Sequence, residues 1–155
     1  MFPLRALVVA AAAAVVVAAP HGMTAGQERI STARSLRCVF AVVATSTWNK
    51  ADPPAAAVKP SKLVLVFDSI DADEGTARLR SGTVGSEVTA RRSGGYLHLI
   101  QSFRSGALYT TTVFDKDKTG DKLKAVHSRH EYFTVAVPGA TSAPEQYYGE
   151  CEARP

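Results

Sequence analysis

From Leu36 onward the chain is a train of short segments in which apolar and polar side chains alternate. Clusters of Gly, Asp, Ser and Pro separate them. The first segment runs from Leu36 to Trp48, and "KLVLVFDSI" follows at 62–70. "TARLR" and "TVGSEVTA" fill 76–90, and the Ser81-Gly82 step between them reads as a bulge or bend within a strand. "YLHLIQSF" (96–103), "ALYTTTVF" (107–114), "KLKAVHSRH" (122–130), "YFTVAV" (132–137) and "QYYGECE" (146–152) complete the series. A period of two over short runs is the mark of half-buried strands. No helical crossover pattern stands between them, so a parallel sheet is not expected. The pattern predicts an all-β fold: a single antiparallel barrel or sandwich of about eight strands joined by tight turns.

Charged residues orient each strand, because neighbours in an extended chain point to opposite faces. Arg37 turns Leu36, Cys38, Phe40 and Val42 inward. Lys62 and Asp68 do the same for Leu63, Leu65 and Phe67, and Arg78 and Arg80 for Ala77 and Leu79. Glu87 sends Val84, Ser86 and Val88 inward. Leu97, Leu99 and Phe103 share the dry face with Gln101, and Tyr147, Gly149 and Cys151 form the inner set of the last strand.

The same alternation settles how to read "KLKAVHSRHEYF" (122–133), which holds two of the four histidines. Lys122 and Lys124 mark the wet face, so Leu123, Ala125, His127 and Arg129 point inward and His130 outward. A metal pair on a strand needs a spacing of two, and the order His-x-x-His-Glu differs from the helical His-Glu-x-x-His of zinc peptidases. No metal or cofactor site is expected. The acidic turns "DADEG" and "DKDKTGD" also lack the ligand set of a calcium loop and read as hairpin turns. What the alternation predicts instead is a polar set, His127, Arg129 and Gln101, inside an apolar interior. A buried guanidinium requires partners. Either a structural network of carbonyls, tyrosine hydroxyls or a glutamate near the C-terminus supplies them, or the three residues floor a small cavity for an anionic or apolar ligand.

The segment before Leu36 places the domain. Arg5, the apolar run from Ala6 to Ala19 and the small residues up to Ala25 have the layout of a cleaved export signal. The run is shorter than the roughly 20 apolar residues that span a bilayer, so no stable membrane span remains after cleavage. The expected organisation is a signal at 1–25, a polar lead at 26–35 that forms a short helix or stays loose, and a barrel or sandwich domain at 36–155. The proline-rich stretch 49–61 is expected to be a long loop within that domain. In an exported chain the two cysteines, Cys38 and Cys151, are expected to form one disulfide tying the first strand to the last.

The net charge is +4, without a dense basic block, so nucleic-acid binding is not expected. No Gly-x-Ser-x-Gly elbow or glycine-rich phosphate loop occurs. One exported domain of this kind with its ends bridged resembles lipocalin-like small barrels in architecture. The Gly-x-Trp element of lipocalins is absent, since Trp48 follows "TST". The sequence therefore points to an exported, secreted or periplasmic, non-catalytic barrel with a binding or envelope-interaction role. The alternatives are a loop-presenting inhibitor or partner of an exported hydrolase, and a small enzyme using His127 or His130 as a general base.

Overall fold

A computed structural model describes residues 25–47, 53–81, 84–131 and 143–155. Eight strands follow helix α1 (Ala25–Thr32): β1 (Ser35–Thr47), β2 (Ala55–Asp71), β3 (Thr76–Ser81), β4 (Val84–Ser93), β5 (Tyr96–Ser102), β6 (Leu108–Thr119), β7 (Lys122–His130) and β8 (Glu145–Arg154). They close in chain order into an antiparallel barrel, with β8 returning to β1. No helix among the described residues is long and apolar enough to cross a membrane. Residues 1–24, which hold all but the last residue of the signal expected at 1–25, lie outside the described residues, as do Trp48 and "YFTVAV".

Three expectations about elements are corrected. The Ser81-Gly82 step does not bend one strand. The flanking residues belong to two strands, β3 ending at Ser81 and β4 beginning at Val84, which pair antiparallel from Ser81 opposite Val84 to Thr76 opposite Thr89. The expected loop at 49–61 is shorter, because β2 begins at Ala55 and pairs with β1 as far as Thr47. Pro60, which has no N–H for a ladder, is accommodated beside a register shift, opposite Val42. That shift, between Phe40 and Val42, occurs against both neighbours of β1 and reverses its alternation. Val43 is therefore buried, and Val42, expected inside, faces out. Gly149 stands opposite Phe40, and a Cβ there would overlap the Val39 carbonyl, so the close approach of β8 to β1 requires glycine.

Inside, Leu36, Phe40, Phe67, Leu97, Leu99, Val113 and Leu123 are each at most 2% exposed. Each such side chain contributes about 1.5–3 kcal/mol by leaving water. Cys38 and Cys151 face each other across β1 and β8 and form the disulfide, with Cα atoms 4.0 Å apart at a sequence separation of 113. Such a bridge forms and persists in an oxidising compartment. One end of the barrel is stopped by α1, whose Ile30 joins the core. Arg29 bonds the Asp121 carbonyl (2.9 Å) and carboxylate (2.8 Å), while Arg92 reaches the Ser31 carbonyl (3.3 Å) and Asp73 (2.9 Å). These exposed pairs are worth under about 1 kcal/mol each, so Ile30 does most of the anchoring.

Candidate functional site

At the opposite end, the mouth, the inner wall turns polar. Two successive rows of the sheet cause this. Leu99, Thr111, His127, Tyr147 and Val43 lie side by side on β5, β6, β7, β8 and β1. The next row toward the rim is Gln101, Tyr109, Arg129, Glu145 and Thr45. The alternation that places Leu123 and Ala125 in the core thus carries His127 and Arg129 to the mouth, and brings Gln101 to the same layer two strands away. His130 is on the outer face and exposed. The two imidazoles are separated by the wall, and no group of three metal-ligating side chains occurs among the described residues.

His127, 3% exposed, is held through both nitrogens. Arg129 Nε–H lies 3.3 Å from His127 Nε2 and can only donate, so Nε2 is the acceptor. The ring proton is therefore on Nδ1 and is given to Thr111 Oγ1 at 2.9 Å. Phe40, Tyr109 and Tyr147 surround the ring with centroids 5.8, 6.0 and 5.8 Å away. Burial, reinforced by the Arg129 charge, pushes the imidazole down to about 4.

Arg129 lies between two phenol rings, 5.3 Å from the Tyr109 centroid and 5.1 Å from that of Tyr147, an arrangement that favours a guanidinium. Its Nη1 is 3.9 Å from Glu145 Oε2. Each phenol in turn donates to a carboxyl group: Tyr109 to Glu131 at 2.5 Å, and Tyr147 to Glu145. Burial first, and these carboxyl groups second, raise both phenols to about 12.

The expected residues are brought together, and four others complete the set. Tyr109, Thr111 and Glu145 were not singled out from sequence, and Glu131 entered there only as the glutamate of His-x-x-His-Glu. Glu131 follows from carrying the 127, 129 alternation one step further. Tyr109 and Thr111 sit in "LYTTTVF", which contains no charge to mark its wet face, and Glu145 is placed by β7–β8 pairing. The half-buried guanidinium has aromatic faces on both sides, with a carboxyl group and an imidazole at its edge. Two carboxyl groups accompany one guanidinium, so the surroundings offer an incoming anion little attraction.

Among the described residues, surface hollows lie both away from the mouth and at its rim. One of about 450 Å³ is lined by Arg37, Val39, Lys122, Lys124 and Tyr148 on the outer wall. Another, of about 310 Å³, lies at the rim, where Arg129, Glu145 and His130 line it together with Ala44, Ala56 and Ser128. No known protein family matches the chain, and neither a characterised protein nor a solved structure does.

Proposed function

We propose that this is an exported, non-catalytic binding protein, secreted or periplasmic, that works through the outer wall formed by β2, β1 and β8 and takes an exported protein as its partner. One observation carries the reading. Of the eight large hydrophobic side chains exposed among the described residues, Val39, Val42, Val58, Val64 and Tyr148 all belong to these three strands. Register joins them into one patch: Val39 is opposite Val64, Val42 opposite Tyr148, and Val58 opposite Ala44. Clustered apolar surface of this kind is a mark of interaction sites.

The polar mouth supports the reading by exclusion. Its guanidinium and imidazole are engaged by neighbours, which suits a plug that fixes the strands better than a floor for a small ligand. A general base at His127 is disfavoured, because the ring is buried with both nitrogens occupied. A loop-presenting inhibitor is disfavoured because the sheet absorbs residues 55–61 of the segment that would be presented.

Photo-crosslinking amino acids at Val64 or Tyr148, in cells exporting the protein, should give discrete protein adducts, and the same group at Thr89 on β4 should not. Absence of adducts from both wall positions would refute the proposal. Native mass spectrometry of the protein from those cells should show no small-molecule mass on the chain. A stoichiometric small-molecule mass that vanishes in Arg129→Leu would instead make it a carrier with its site at the mouth.

A further inference from the structure

β2 is longer than the strand beside it. Its ladder with β1 runs from Ala55 to Phe67, but the ladder with β3 begins only at Val66, opposite Arg80. Along residues 55–64 one edge of β2 therefore meets no strand among the described residues. At about 3.3 Å per residue that edge is roughly 30 Å long. Side chains 53–60 are all exposed. The Leu63 N–H donates to the Ser61 hydroxyl of its own strand at 3.2 Å, as an amide without a neighbouring strand does. A row of unpaired N–H and C=O groups is a template for another extended chain.

Charge decides what that chain is. Lys59 and Lys62 stand on this edge, on opposite faces of the strand. The first acid along β2 is Asp68, which is already paired with Arg80. A second copy added edge to edge would bring two pairs of lysines into one short ladder, where like charges repel. Pro60 would also supply no N–H. Lysine and proline at an edge are devices that keep sheets from pairing with their own kind. A strand carrying carboxylates meets attraction where a copy meets repulsion. We propose that the β2 edge at residues 55–64 binds an extended, acidic segment of the partner protein by adding it to the sheet as a strand. This rests on the outer wall of β2, β1 and β8 being the working surface, and it names the chemistry of what docks there. The added strand would lie beside Val58 and Val64, so its own outward apolar residues would extend the patch.

The test is hydrogen–deuterium exchange of the whole exported chain, disulfide intact, with two blocked peptides of alternating sequence, one Val-Glu and one Val-Lys. The Val-Glu peptide should slow exchange over 55–64, and the Val-Lys peptide should not. The double exchange Lys59→Glu, Lys62→Glu alters only exposed side chains and should reverse the preference, with a change of about tenfold or more in affinity at low salt. Slow exchange over 55–64 before any peptide is added would overturn the inference, because the chain would then cover its own edge. Equal protection by both peptides, or protection confined to other strands, would do the same. Crosslinks from Tyr148 on β8 would persist in those cases if the wall is still the working surface, which separates failure of the edge from failure of the wall.

Discussion

Protonating His127 should unfasten the mouth. The imidazole titrates at about 4 in the folded chain against an ordinary 6.5, so the unfolded chain binds the proton more readily. The stabilisation tied to the neutral ring is present above pH 6.5 and is lost as pH falls from there toward 4. One pKa unit corresponds to about 1.4 kcal/mol, so the full loss is about 3 kcal/mol, of which about 2 kcal/mol has gone by pH 5. The structural reason is local: an imidazolium would turn a second N–H toward the Arg129 Nε–H that Nε2 now accepts. Carboxylates with ordinary values near 4 take up few protons above pH 5, so the interval from pH 7.5 to 5 is dominated by histidine. The control is His127→Gln, which keeps a donor and an acceptor but cannot be charged in this range. Urea unfolding followed by far-ultraviolet circular dichroism should show the midpoint of the protein falling by about 1 M over this interval relative to that of the variant. If the two midpoints keep a constant separation, the ring accepts a proton in place and the assigned network is wrong.

Two further outcomes follow from the seam between the first and last strands. Replacing both Cys38 and Cys151 by alanine should cost about 5 kcal/mol, the chain-entropy value for a loop of this length, read as a lowered unfolding free energy in urea. Gly149→Ala should destabilise by about 1–3 kcal/mol or prevent folding, because its Cβ meets the Val39 carbonyl, whereas alanine at Gly85 on β4, where a Cβ would come no nearer than 3.4 Å to the Arg78 side chain, adds no collision. Thermal unfolding of the two glycine variants in parallel separates the collision from the general effect of losing a glycine.

Much of the barrel could be read from alternation alone, because one charged residue per strand suffices to fix which face is wet. Arg37, Lys62, Arg78 and Lys124 correctly sent Cys38, Leu65, Leu79 and His127 inward. Alternation fails wherever the count of two is broken. The irregularity after Phe40 put Val43 inside in place of Val42, and a second, with Ser69 at φ 51°, lies in the shifted register between Asp68 and Asp71 beside the buried Ile70. Such bulges are set by the partner strand, here by Gly149, and leave little trace in their own sequence. Ser86 and Phe103 were expected in the core and are exposed, since Ser86 is near the rim and Phe103 lies just past the end of β5. The mouth was half legible for the same reason: His127, Arg129 and Gln101 came from periodicity, while Tyr109 and Glu145 were joined to them by pairings between strands distant in sequence.

The disulfide sits on the one strand pair that joins the beginning of the ring to its end, and its two sulfurs are separated by 113 positions of chain. Every other ladder can zip up between neighbours as they emerge, but this one has to wait for residue 151. A chain that emerges from its N-terminus therefore stays an open, curling ribbon until residue 151 is free, and oxidation then acts as a latch on the closed ring.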